Sequence, residues 1–431
     1  MFGGTLWSIV LRFVNRAAEL RELDTAARRG GLLVVFGRRR VGKTRLLRHW
    51  LDRHGGSYSQ AIEAPLDIQL QQVRSDIGPL PSEITPKTWG ELLELVARRP
   101  PPWTLCLDEF PYLTEVDRSL PSRLQRWLDH ELPPGCLLVL SGSSMRMMHA
   151  QFLDRSAPLF GRAGKLLRVE PMDYRAFCSA CGLAVDEMDS FEQFACVGGV
   201  PKYWEFIDSS NDVVGLADAL YFGFAPFMEF EPQRLLRDEQ INGASALAVL
   251  EAVGRGAHRP SEVAARLGVP QTNLSRLFAQ LVDASILARE LPWGESSRTT
   301  KRVLYRVADP ATRFWFGVYS AHRSRWPSYP VALRRRLIHE HASTVFEDHC
   351  RARLPGAQRY WEAGLELDLV APDPEDGGGL VVAEVKWRRL SASERKTVAA
   401  QLREKWSRST IGGRGHKARF VVLDATSLTE K

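Results

Sequence analysis

The stretch GLLVVFGRRRVGKTRLLRHWL, residues 31 to 51, decides the fold. Leu32 to Phe36 form a short apolar run of the kind buried on both faces of a parallel sheet, and Leu46, Leu47, Trp50 and Leu51 then recur at helical spacing. Between them Gly37 and Gly42 bracket four residues ahead of Lys43 and Thr44, the G-x-x-x-x-G-K-T pattern in its strand-to-helix setting. Such a loop turns its N–H groups around phosphates at a helix N-terminus, where the peptide dipoles favour negative charge. Lys43 is placed for the β and γ phosphates and Thr44 for a Mg²⁺ ion, so ATP and Mg²⁺ are the expected cofactors. Nucleotide contacts are expected from Gly37, Arg38, Arg39, Arg40, Val41, Gly42, Lys43, Thr44 and Arg45. The three arginines have two readings, reaching phosphate or reaching acids of a neighbouring subunit.

Two further strands complete the chemistry. WTLCLDEFPYL, residues 103 to 113, is an apolar run ending in Asp108, a second Mg²⁺ ligand, and Glu109, which would polarise the attacking water. CLLVLSGSSMRMM, residues 136 to 148, ends in Ser141, Ser143 and Ser144. Ser143 is placed to sense the γ-phosphate, although an ordinary serine-rich turn explains any one of these serines equally well. Alternation of such strands with helices predicts an α/β fold, a parallel sheet flanked by helices.

The whole chain agrees with a globular protein of several domains: 431 residues, 44% hydrophobic, with no run approaching the ~18 apolar residues of a membrane span. The opening MFGGTLWSIVLRFVNR is broken too early by Arg12 to read as a signal peptide, so a cytoplasmic location and no membrane partner are expected. Six scattered cysteines, of which only Cys178 and Cys181 are close, read as reduced packed thiols rather than a zinc site. The formal charge of +7 is concentrated in residues 311 to 360, where nine arginines face three acids among many aromatics. Phosphate neutralisation or a solvated helical face would each explain those arginines, and RFWFGVY reads as core.

From about 241 the pattern becomes helix, short helix, turn, longer helix and two short strands. Residues 261 to 268 and 271 to 284 would be the paired helices of a winged helix-turn-helix, with 291 to 302 as its wing. In a DNA-reading role Gln271, Thr272, Asn273, Ser275 and Arg276 would enter a groove, with Arg298, Lys301 and Arg302 on phosphates. With one arginine and no lysine on the longer helix, a lid or adaptor role is the competing reading.

At the far end LELDLVA, residues 365 to 371, and LVVAEVKW, residues 380 to 387, flank the glycine-rich turn PDPEDGGG. If they pair as a hairpin, Asp368 and Glu384 converge with Lys386 alongside, and Glu347 on the preceding helix can join them. Carboxylates converging with a lysine suit metal-dependent phosphodiester hydrolysis; an isolated E-x-K on a strand is otherwise a surface ion pair.

The chain resembles the archaeal-type P-loop ATPases of the STAND branch of AAA+-like proteins. The resemblance rests on FVNRAAELREL (13 to 23), FGRRRVGKT (36 to 44), LDEFPYL (107 to 113), LSGSSMRMM (140 to 148), APLFGRAGKLLRVEPM (157 to 172) and GGVPKYWEF (198 to 206). It implies Asn15 and Arg16 beside adenine, Arg162 as a charge-stabilising arginine, and Pro201 with Tyr203 at a closing lid. In a homo-oligomer Arg162 would act on a neighbouring subunit's nucleotide. In that family a restriction-endonuclease-like, DUF234-type domain occupies the C-terminal position. Here Asp368 with Glu384-Val385-Lys386 resembles the PD-(D/E)XK nuclease core, with Gln401 on the following helix matching an occasional glutamine. DNA is the implied partner. The expected organisation is a P-loop ATPase domain with a helical lid over 1–235, a winged helix over 236–310, a basic aromatic connector over 311–335 and a nuclease-like α/β domain over 336–431.

Overall fold

The structure is a computed structural model that describes residues 11–78, 85–208, 212–224, 226–241, 243–296, 298 and 300–429. The expectation for the opening segment therefore falls partly outside the described residues. Five parallel strands build the first sheet: β1 (Gly31–Phe36), β2 (Ser57–Gln60), β3 (Thr104–Asp108), β4 (Leu137–Gly142) and β5 (Ala163–Arg168), in the order β2-β3-β4-β1-β5. The apolar runs read above are buried on both faces, and alternate residues enter separate cores. Leu32 and Val34 of β1 join Leu105, Leu107, Leu138 and Leu140 on one face. Leu33 and Val35 join Cys106, Leu137 and Val139 on the other, against the helix Lys43–His54.

The strand order matters chemically because β4 separates β1 from β3. The loops leaving the C-terminal ends of all three strands therefore meet, which is where ligands bind in open parallel sheets. Gly37 is required at the first of these loops, since a Cβ there would sit 2.4 Å from the Val169 carbonyl oxygen. Gly42, at φ +95°, needs the left-handed region that glycine enters freely.

Further along, the helices Pro260–Leu267 and Gln271–Asp283 precede a two-stranded antiparallel hairpin, β6 (Leu287–Glu290) with β7 (Leu304–Val307). The last sheet contains β8 (Gln358–Glu362), β9 (Leu365–Pro372), β10 (Leu380–Lys386) and β11 (Ala418–Asp424) in the order β11-β10-β9-β8. β9 and β10 pair antiparallel, with Ala383 opposite Leu369, while β10 and β11 run parallel. The helix Val331–Ala352 precedes this sheet, and the helix Ala392–Arg408 connects β10 to β11.

One apolar core runs through residues from Tyr174 to Leu428, including Phe191, Phe278, Phe314, Phe346, Val381 and Trp387. The regions around the hairpin and the C-terminal sheet thus share packing with the helices after β5. RFWFGVY lies where its composition suggested, with Phe314, Trp315, Phe316 and Tyr319 buried. Cys178 and Cys196 are core residues, and no metal-holding group of three His, Cys, Asp or Glu side chains occurs among the described residues. Also among those residues, no helix is long and apolar enough to cross a membrane.

Candidate functional site

Lys43, first residue of its helix, is buried and donates to the carbonyl oxygens of Gly37 (2.8 Å) and Arg38 (3.2 Å). Burial lowers its pKa, opposed by the carboxylates of Glu109 and Asp108. Thr44 Oγ1 and Tyr58 Oη both donate to Asp108 Oδ2 at 2.7 Å, so the two expected Mg²⁺ ligands stand in contact. Glu109 has a left-handed backbone, φ +55°, which is costly for a residue with a side chain and is typical of positions fixed for function. Its Oε2 accepts from Ser143 Oγ at 2.7 Å. Ser143 thus reaches the acid rather than open space, while Ser144 caps the next helix through the Met147 N–H and donates to Glu239.

A cavity of about 730 Å³ joins Lys43, Thr44, Glu109, Gly42, Arg40 and Pro201. The sequence reading missed several members of its wall: Leu11, Phe13, His49, Lys202 and Glu205. Phe13 stacks on His49 with ring centroids 3.9 Å apart, and Arg45 donates to the Leu11 carbonyl at the same wall. Arg16 borders a small apolar recess beside this cavity together with Phe13, Pro201 and Trp204. Its Nη2 donates to the Val41 carbonyl at 2.9 Å, so it braces the loop as well. Asn15 lines neither cavity and accepts the Arg16 N–H.

Arg162 stands apart. It is held by both carboxylate oxygens of Asp129, at 2.9 to 3.1 Å, and lines neither cavity.

The three loop arginines reach acids of their own chain. Arg38 is buried against Asp309, Nη1 to Oδ1 3.2 Å, and donates to Thr312. Arg39 pairs with Asp238 and Arg40 with Glu231, each at 2.5 Å. Tyr203, expected at a lid, donates to the other oxygen of Glu231 at 2.7 Å. Neither phosphate nor a neighbouring subunit is needed to explain the triplet, because acids of the same chain, distant in sequence at 231 to 309, take all three charges. No sequence motif marked those acids.

Residues 13–204 match the family described as an ATPase domain predominantly from Archaea. This part of the chain is an archaeal-type P-loop ATPase domain. Residues 331–398 match a family of archaeal and bacterial proteins of unknown function. An uncharacterized protein of Methanocaldococcus jannaschii is 24% identical over 419 residues, 91% of each chain. A Walker-type ATPase of Pyrococcus abyssi shares the fold, with a TM-score of 0.54 at 18% identity, over 73% of this chain and all of that one.

Behind the ATPase domain the C-terminal acids assemble as well. Asp368 Oδ2 accepts the Val385 N–H at 2.8 Å, across the β9–β10 pairing. Burial, with the charges of Glu384 and Glu347 nearby, pushes the Asp368 carboxyl up to about 7. Lys386 donates to Glu384 at 2.8 Å, and Lys405 from the helix Ala392–Arg408 donates to both Glu384 oxygens at 2.9 Å. Burial alone would raise Glu384, but these two ammonium groups outweigh it and hold its pKa low. The acids converge, yet the expected metal shell of Glu347, Asp368 and Glu384 is not arranged as a cage, since Glu384 is turned to the lysines. Lys405, which the sequence reading missed, reaches the site from one turn beyond the exposed Gln401.

Most of the arginines of residues 311 to 360 are committed internally. Arg313 pairs with Asp348, Arg334 with Asp218, Arg335 with Asp212, Arg351 with Asp348 and Arg359 with Glu366. On the hairpin Arg302 pairs with Glu295 and donates to the Trp361 carbonyl of β8 at 3.0 Å, rather than standing free for a phosphate. Gln271, Thr272, Asn273, Ser275 and Arg276 are all exposed on their helix.

Proposed function

We propose that this protein is a Mg²⁺-dependent ATPase whose nucleotide state controls a DNA-directed, nuclease-like C-terminal domain, in defence or DNA processing. The observation that carries the reading is a chain of contacts from the phosphate-binding loop to the C-terminal acids. Arg38 holds Asp309, and Asp309 caps the helix Pro310–Phe314 through the Thr312 N–H at 2.8 Å. Arg313 of that helix donates to Asp348 at 2.8 Å, Asp348 accepts from Arg351 at 2.5 Å, and Arg351 donates to the Asp368 carbonyl at 2.9 Å.

In the ATPase domain, phosphates would take the loop N–H groups and draw Lys43 from the carbonyls of Gly37 and Arg38. Thr44 and Asp108 offer hard oxygen donors in mutual contact, a set that fits Mg²⁺, and the ion would neutralise phosphate charge. Glu109 then orients the attacking water, with Ser143 fixing its carboxylate. A loop rearranged around phosphates moves Arg38, and with it the helix carrying Arg313.

At the far end Asp368, Glu347 and Glu384 are oxygen donors for a second divalent ion once Glu384 leaves Lys405, and the ion would lower the pKa of water and shield a phosphodiester. Lys386 stays beside them to meet developing negative charge. The test is incubation of the purified protein with plasmid and linear DNA in Mg²⁺ or Mn²⁺, with and without ATP. Lys386→Ala and Asp368→Ala retain ATP hydrolysis and lose cleavage.

A second reading is favoured by the double hold of Lys386 and Lys405 on Glu384. A carboxylate neutralised in this way suits a module that binds DNA or a further copy of the chain without cutting. In that case the wild type shows nucleotide-dependent binding and no cleavage under the same conditions.

A further inference from the structure

On the outer side of the phosphate-binding loop, Arg39 and Arg40 line a cavity of about 280 Å³ with Arg234, Arg237 and Asp238. Four guanidinium groups therefore border one carboxylate. Asp238 is engaged by Arg39, and buried Glu231, behind the cavity, by Arg40. Arg234 comes only within 3.9 Å of Glu231, and exposed Arg237 has no side-chain partner among the described residues. Among the described residues the positive charge of the concavity is thus incompletely compensated, unlike that of the 311 to 360 segment. Phe230, 54% exposed, precedes the helix Glu231–Asp238, and the Arg234 N–H donates to its carbonyl at 3.0 Å. The helical spacing puts Phe230, Arg234 and Arg237 along one face.

We infer that this concavity binds the backbone of a single-stranded nucleic acid, with guanidinium groups on successive phosphates and Phe230 stacked on a base. Surplus arginine charge beside an exposed aromatic is the combination that holds single strands without reading sequence, since every base has a stacking face. Free phosphate would use the arginines and leave Phe230 unexplained. A duplex keeps its bases stacked inside and offers Phe230 nothing. The inference stands apart from the reading of the C-terminal acids, because no residue of that site takes part.

The test is fluorescence anisotropy of a labelled oligo-dT of about 20 nucleotides titrated with the full-length protein at low and moderate salt. The wild type binds, and binding weakens as salt rises. Arg234→Glu with Arg237→Glu raises Kd at least about tenfold, and Phe230→Ala raises it about threefold or more. Thermal melting followed by circular dichroism checks the fold. Arg237→Glu alone, at an exposed position with no side-chain partner among the described residues, serves if the double variant melts early, and it too weakens binding severalfold. Wild-type affinity in a charge-reversed variant with native melting would overturn the inference. So would absence of oligo-dT binding by the wild type, or tighter binding of a duplex that Phe230→Ala leaves unchanged.

Discussion

Arg38 Nη1 lies 3.2 Å from Asp309 Oδ1, a buried ion pair that joins the phosphate-binding loop to the helix cap following the β6–β7 hairpin. Burial alone would lower the Arg38 pKa, yet Asp309, with Tyr203 and Glu231 beside it, outweighs burial and raises it. Each partner is therefore costly to keep without the other.

Asp309→Ala leaves the Arg38 guanidinium buried without its countercharge and removes the acceptor for the Thr312 N–H. Removing one member of a buried pair typically costs about 3 to 5 kcal/mol. Urea unfolding of the variant should show a loss of at least about 3 kcal/mol, and Arg38→Met combined with Asp309→Leu should recover much of it.

In the ATPase domain, Lys43→Ala should abolish ATP binding and hydrolysis together. Glu109→Gln should still bind ATP while hydrolysis falls about 100-fold or more, because the amide cannot act as a base. Nucleotide binding measured by calorimetry beside phosphate release distinguishes the two variants.

Asp368 makes a pH prediction. Its carboxyl ionises near the ordinary carboxylate range in the unfolded chain and at about 7 in the fold, raised by burial and by Glu384 and Glu347. Between those values the folded protein holds the extra proton, so this group's contribution to stability falls as pH rises through the window and levels off above about 7. Asp368→Asn should flatten that slope and stabilise the protein at pH about 8 by on the order of 1 to 2 kcal/mol, read from melting curves across pH. Divalent-dependent activity at the site should rise over the same window, as ionised Asp368 becomes available.

Lys405 accounts for half of the double hold on Glu384. Lys405→Met should free a carboxylate oxygen and tighten Mn²⁺ binding at the C-terminal site by severalfold, measured by calorimetry with Asp368→Ala as the blank. The ATP hydrolysis rate should not change.

The phosphate-binding loop, the β3 acids and the Asp368–Glu384–Lys386 grouping were legible because each is local: a glycine pattern, a strand end, or two strands joined by one turn. The unbroken apolar run along β1 marks a strand buried on both faces, and Leu32 and Leu33 do enter different cores. Long-range pairing was not legible. Asp309 lies 271 residues from Arg38, and nothing in its surroundings distinguishes it from any other helix cap. For the same reason the arginines of residues 311 to 360 looked available to phosphates, although acids as distant as Asp212 and Asp218 take some of them. Lys405 was missed because its helix carries several exposed basic residues, and only the fold shows which one turns toward Glu384.

In the proposed function the nucleotide loop and the C-terminal acids are coupled through Asp309, Arg313, Asp348 and Arg351. Hydrogen–deuterium exchange with and without ATP, in Glu109→Gln to hold the bound state and in Lys43→Ala as the unliganded control, tests it most directly. ATP should change exchange in the loop at 36–44 and also at 309–314 and 347–351 in Glu109→Gln, with no change in Lys43→Ala. Protection of the loop alone, with 309–314 and 347–351 exchanging identically with and without ATP, would contradict it.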